Sequence, residues 1–224
     1  MTIQIERRGA DSPFVHQVTR FTCAEDDAFM TTPDGLWDLV IQRCRGRVHV
    51  LQTGLITRPV EVPLEAGDEF VSIAFKPGVF MPRLPGASML DRGFERPAAT
   101  NRTFWIDRDQ LEIPTFENVE GLVGELARRA IIVTDDVVAN VVGGRPPEIS
   151  RRAVQRHFRR VLGLAPHHLA QIYRAGQAVS ELERGGRAIM VAHELGYADQ
   201  APMIRSLKRI MGCTPGQILG TNAA

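Results

Sequence analysis

The chain has 224 residues, of which 44% are hydrophobic and 24% charged, a balance that excludes wholesale disorder and supports a buried core in one or two domains. No apolar run approaches the roughly 18 residues of a membrane span, and the start, Met1 to Arg8, has no apolar signal core. The net charge of +1 conceals an asymmetry: residues 131–224 carry 12 Arg and Lys against 7 Asp and Glu, whereas residues 1–130 carry 15 against 19. An acidic front and a basic back imply two domains, the second facing a polyanion. Three widely spaced cysteines, Cys23, Cys44 and Cys213, form no CxxC pair. That pattern argues against a disulfide scaffold or a Cys-rich zinc site, and the expected location is the cytoplasm, with no membrane partner.

From 13 to 113 the chain reads as short strands: Phe14–Phe21, Leu36–Arg43, Val48–Gln52, Phe70–Phe75 and Phe104–Ile106. Trp37, Leu39 and Ile41 alternate with Asp38, Val40 and Gln42, and Val71, Ile73 and Phe75 share one side. Strands separated by turn signals about every ten residues predict a sandwich or small barrel, here a cupin-like β-barrel. Pro59, Pro63, Pro77, Pro82 and Pro85 are expected between strands. Glu25-Asp-Asp27 is expected in a loop.

From about 116 the period becomes helical, through Val119, Leu122, Val123, Leu126 and Ile131. A short helix at 135–142 is followed by a strong break, Gly143-Gly-Arg-Pro-Pro-Glu148. Ser150 caps a helix to about Leu162, with Gly163 at its end. Pro166 opens a long helix to about Arg184, and shorter helices follow at about 187–195, at 201–211 and after Thr214-Pro215. The predicted fold class is α+β, a barrel at 1–115 followed by an all-α domain at 116–224.

Two of these helices carry a functional pattern. At about 100° per residue, Val154, Phe158 and Val161 form one stripe of 150–162, and Arg152, Gln155, Arg156 and Arg159 form the opposite one. Arg151 and Arg160 flank that stripe, where phosphates of a duplex would lie. Arg pairs bidentately with the guanine edge and Gln with the adenine edge. A solvated charged face would mix signs, yet Glu181 is the one acidic residue between Ser150 and Leu182. In the second helix Met203, Leu207 and Ile210 face inward, Arg205, Lys208 and Arg209 supply basic charge, and Gln200 stands at the start. Ala188–Leu195, Gly196-Tyr-Ala-Asp199 and this helix have helix-turn-helix spacing.

Val191-Ala-His-Glu-Leu-Gly-Tyr-Ala-Asp-Gln200 with Arg205-Ser-Leu-Lys-Arg-Ile-Met-Gly-Cys-Thr-Pro215 resembles the signature of AraC/XylS-type transcription regulators. Ser150-Arg-Arg-Ala-Val-Gln-Arg-His-Phe-Arg-Arg-Val-Leu-Gly-Leu-Ala-Pro166 resembles the first helix-turn-helix of that family. Phe75-Lys-Pro-Gly-Val-Phe-Met-Pro-Arg-Leu-Pro85, Phe104-Trp105 and Phe116-Glu-Asn118 resemble the cupin-type sensor domain joined to some of its members. The resemblance implies two helix-turn-helix units held by the 166–184 helix on one side of double-stranded DNA. Positions matching Arg152, Gln155 and Arg156 would approach bases in the first unit, and those matching Gln200, Ala201 and Arg205 in the second. Ala201-Pro202-Met203 departs from the family's usual Ser-His-Phe, and Ala165 replaces the usual Ser cap.

The front half is expected to sense a small molecule, to mediate homodimerisation, or both. Trp37, Phe75, Phe80, Met81 and Trp105 are the candidate lining of an apolar pocket, or simply fill the barrel. No catalytic residues, cofactor or metal are expected: His16 and His49 lie far apart and lack an HxH grouping. His167 and His168 are expected to point apart at a helix start. The alternative reading is a cupin-type enzyme or ligand-binding protein whose helical domain is an oligomerisation or partner module.

Overall fold

The structure is a computed structural model and describes residues 3–97, 100–145 and 147–221. The elements run β1 (Ile3–Arg8), β2 (Val15–Cys23), β3 (Asp27–Thr31), β4 (Asp38–Cys44), β5 (Arg47–Thr53), β6 (Val60–Leu64), β7 (Glu69–Phe75), β8 (Val79–Phe80), α1 (Gly86–Met89), β9 (Gly93–Arg96), β10 (Thr103–Ile106) and β11 (Asp109–Glu112). There follow α2 (Val119–Arg128), β12 (Val133–Thr134), α3 (Asp136–Val142), α4 (Arg151–Leu162), α5 (Pro166–Glu183), α6 (Ala188–Glu194), α7 (Gln200–Ile210) and α8 (Pro215–Thr221). The fold is α+β, with strands predominating in front and helices behind the change of period at 116; the half expected to be all-α also contributes β12, which pairs with β8 of the front. Each of the five expected strands lies in or overlaps an observed one.

The main sheet has six antiparallel strands in the order β1-β2-β7-β4-β5-β9, and its ladder ends at β9 rather than closing on β1. Leu39, Ile41 and Ile73 are fully buried on its inner face, opposite Asp38, Val40 and Gln42. Trp37 stacks on Phe75 with ring centroids 4.0 Å apart and donates its indole N–H to the Val79 carbonyl at 2.7 Å. The ribbon β3–β6 makes a second, smaller core with Cys23, Leu64 and Phe70, where Phe21 and Phe29 rings meet at 5.0 Å. Pro63 therefore sits inside a strand, a correction to the expected turn. The ribbon has two strands only, so the missing N–H can face the unpaired side.

The apolar core of the sheet does not stop at the helices. Phe104, Ile106, Leu126, Ile132, Phe158 and Leu169 belong to one continuous buried cluster with Ile73 and Phe75. At its edge the Arg8 guanidinium donates to the Phe116 carbonyl at 2.6 and 2.8 Å and to Glu120 at 2.6 Å, tying β1 to the start of α2.

Candidate nucleic-acid interface

Helix α4 is defined at both ends by its sequence. The Ser150 hydroxyl accepts from the Ala153 N–H at 3.2 Å, and Gly163 closes the helix in the left-handed region at φ +76. Phe158, Val161 and Leu162 are buried, and Val154 is half-buried. Arg151, Arg152, Gln155, Arg156, Arg159 and Arg160 are all exposed, so the two stripes of the wheel exist as drawn. Eight residues separate α3 from α4; Pro146, in this break, lies outside the described residues.

A buried carboxylate seats α4, and the sequence reading missed it. Asp135, 5% exposed, caps α3 by accepting from the Val138 N–H at 3.1 Å. The same side chain meets His157 Nδ1 at 2.7 Å and Arg160 Nη2 at 2.5 Å on α4. Burial alone would raise the Asp135 pKa; hydrogen bonds from His157, the Val138 N–H and Arg160 outweigh it and hold the group below its ordinary 3.8. Arg160 also lies over the Phe80 ring, 5.4 Å from its centroid. Arg160 thus stays exposed at the flank of the stripe while one of its nitrogens is held by Asp135. Its only sequence signal was an Asp at a helix start, which reads as a cap and says nothing of a partner 25 residues on.

Helix α5 buries Leu169, Ile172, Ala175, Ala178 and Leu182, and packs against α4, α6, α7 and α8. Pro166 occupies its first turn, and Ala165 makes no side-chain cap bond, as its methyl group dictates. In the second unit, Val191 and Ala192 of α6 are buried, Tyr197 lies under the Arg174 guanidinium at 4.7 Å, and Asp199 caps α7 by accepting from the Ala201 N–H at 2.7 Å. Pro202 falls in the first turn, where its missing N–H leaves the helix intact to Ile210. Met203, Leu207 and Ile210 are buried; Gln200, Arg205, Lys208 and Arg209 are exposed, and Arg209 donates to Gln171 of α5 at 3.2 Å.

Among the described residues no carboxylate lies within 4 Å of the basic groups of Arg151, Arg152, Arg156, Arg159, Arg205 or Lys208. The His167 and His168 rings do not point apart: their centroids are 3.9 Å from one another, beside Arg209. Burial, then the neighbouring His167 and Arg209 charges, lower the His168 pKa.

The candidate lining of the front half separates into parts. Trp37, Phe80 and Met81 border a cavity of about 20 Å³ whose far wall is Val161 and Leu162 of α4. That volume holds about one water molecule. Phe75 is fully buried behind Trp37, and Trp105 is 37% exposed on β10, since Phe104 and Ile106 take the inward positions. Lys76 donates to the Ser12 carbonyl at 3.0 Å and so ties down a strand end. His49 meets Glu95 at 2.7 Å, away from His16. Among the described residues one mixed group, Cys44, Glu65 and Asp68, has donor atoms within 4.8 Å of one another. Hydrogen bonding to Asp68, with burial and the charges of Asp68 and Glu65, pushes the Cys44 thiol up to about 11.

Residues 148–220 match the family described as a helix-turn-helix domain. No curated protein matches the chain. Over its whole length the chain is similar to a crystal structure of ToxT from Vibrio cholerae, at 11% identity and a TM-score of 0.45, covering 100% of this chain and 99% of that one. A second ToxT structure, bound to (E)-4-(8-methylnaphthalen-1-yl)but-3-enoic acid, is similar at 11% identity and a TM-score of 0.43, covering 99% of this chain and 100% of that one.

Proposed function

We propose that this chain, which carries an AraC-type helix-turn-helix domain at residues 148–220, is a cytoplasmic, sequence-specific transcription regulator that binds double-stranded DNA and responds to a small molecule through its β-rich front. The observation that carries the DNA reading is the pair of exposed basic faces on α4 and α7, where, among the described residues, Arg151, Arg152, Arg156, Arg159, Arg205 and Lys208 have no acidic partner within 4 Å. A face built for solubility alone would carry mixed signs. Arg152, Gln155 and Arg156 read bases from the first unit, and Gln200 and Arg205 from the second. Arg151, Arg159 and Lys208 meet phosphates, which makes binding steeply salt-dependent. Ala201 offers no hydrogen-bonding side chain, so the second unit reads fewer base edges than the first. Each chain carries both units, so the DNA geometry does not require a second copy. The protein acts by binding, with no catalysis of its own.

The effector reading is supported by the shared wall between the front half and α4. Phe80 and Met81 adjoin the same cavity as Val161 and Leu162, so a ligand that displaces them moves the base of the first reading helix. The test is retention of fragmented genomic DNA by the purified chain at physiological salt, followed by sequencing. The expected result is a shared motif of two short blocks about one helical turn apart. Folded protein that retains no sequence preferentially, at any salt and with cell extract added as an effector source, defeats the reading.

A further inference from the structure

Where β6 turns into β7, three side chains that take no part in DNA reading converge. Glu65 and Asp68 stand in the turn, and Cys44 ends β4, brought alongside by the pairing of Arg43 with Glu69 of β7. One donor atom from each of the three lies within 4.8 Å of the other two, and Cys44 Sγ is 3.7 Å from Glu65 Oε2. On a tetrahedral zinc ion, a sulfur at about 2.3 Å and an oxygen at about 2.1 Å stand about 3.6 Å apart. The thiol and the Glu65 carboxylate already have that separation.

The burial of Asp68 is a second, independent sign of a cation. Asp135 and Asp68 are both buried carboxylates, 5% and 3% exposed. Asp135 is met by His157 and Arg160. Among the described residues no Lys, Arg or His nitrogen lies within 4 Å of Asp68. Its Oδ2 accepts from the Glu65 N–H at 3.1 Å and from Gln42 Nε2 at 3.3 Å, which holds the turn; its Oδ1 accepts from no N–H or hydroxyl among the described residues. The group that adjoins the carboxylate is the Cys44 thiol. A buried carboxylate is costly without a counter-charge, and Asp68 has only neutral donors. Asp26, which accepts from the Ala66 N–H at 2.9 Å, adds negative charge at the turn. The cation nearest Glu65 is Arg45, at 2.8 Å, but that side chain is 78% exposed, and such a surface pair yields readily to a stronger partner.

We infer that Cys44, Glu65 and Asp68 bind a thiophilic divalent cation of the zinc class, through one sulfur and two carboxylate oxygens, with water in the fourth position and the thiol proton leaving to solvent. The sulfur selects against magnesium and calcium, which take oxygen ligands. A bound ion would pin the end of β4 to the turn that follows the β3–β6 ribbon, and so fasten the smaller core to the main sheet.

The test uses the full chain, reduced and stripped of metal. Cadmium is titrated first, read by the ultraviolet charge-transfer band of a cadmium–thiolate bond; zinc and magnesium follow by calorimetry. The band is expected to saturate at one equivalent, and zinc to bind at least about tenfold more tightly than magnesium. Cys44→Ser should remove the band and weaken zinc at least about tenfold, whereas Cys213→Ser should change neither. Glu65→Gln, in the exposed part of the turn, should weaken zinc without disturbing the fold. Folded wild type that shows no saturating band overturns the site, as does a band or a zinc affinity that survives in Cys44→Ser. Magnesium bound as tightly as zinc overturns the choice of cation. The titration contains no DNA, so its failure leaves the regulator reading standing, and loss of DNA retention leaves the metal site standing.

Discussion

On α4 neighbouring arginines have different duties, because an exposed guanidinium and one held by a buried carboxylate do different work. Arg156 is exposed with no acidic partner, whereas Arg160, four residues on, is held by Asp135. Arg156→Ala is therefore expected to lose about 1–3 kcal/mol of specific DNA affinity and to relax preference at one base pair. Binding to a panel of single-base operator variants checks this; an equal loss on every sequence would make Arg156 a phosphate contact. A second residue-scale effect lies in the sheet. Burial, and then the Asp34 charge, push the Asp38 carboxyl up to about 6, against a hydrogen bond from Ser72 at 2.8 Å. An acid whose folded pKa is raised holds its proton better folded than unfolded. Its cost to stability therefore begins above the ordinary carboxylate value of 3.8 and is complete above about 6. Asp38→Asn should stabilise the fold by about 2 kcal/mol near pH 8 and by little near pH 4. Denaturant melts at the two pH values measure the difference.

At the scale of the element, caps and first-turn residues decide where the helices begin. Ser150, Asp135 and Asp199 each supply a capping oxygen, and Ala165 does not. Ala165 already has the extended backbone of an N-cap, at φ −86 and ψ 155, so Ala165→Ser adds a bond without moving the chain. The expected gain is about 1 kcal/mol, seen as a higher midpoint of thermal unfolding. The helices from α2 onward were legible in the sequence because their signals are local: a cap, a 3.6-residue period, a glycine; the one-turn α1 was not. Strands β1, β3, β6, β9 and β11 were not. Their residues, such as Gln4, Glu61, Pro63 and Glu95, look like loop by composition, and only pairing with a distant strand makes them extended.

At the scale of the molecule, the apolar core runs from the sheet into the helical half without a gap. The junction between α1 and α4 is close-packed backbone on backbone. A methyl group on Gly86 would lie 2.4 Å from the Val161 carbonyl oxygen and 2.6 Å from the Gly163 nitrogen. Backbone cannot yield as a side-chain tip does, so Gly86→Ala should prise the halves apart. A cost of about 1–3 kcal/mol is expected, together with a single unfolding transition becoming two. Differential scanning calorimetry on both proteins decides it; a variant that unfolds in one transition at the wild-type temperature would mean the junction bears no load.

What the sequence determined by itself was whatever depends on neighbours along the chain. The bounds of α4, α5 and α7 follow from local caps and periodicity, as do their inward stripes and the exposed basic faces opposite. Only the tertiary structure decided what depends on distant partners. Arg160 turns to Asp135 because α3 packs on α4, Phe75 disappears behind Trp37, and Arg96 is left with Gln52 rather than a carboxylate. Charge and burial are set by whatever lies across the core, and the distance along the chain from Gln52 to Arg96, or from Asp135 to Arg160, carries no mark of that contact.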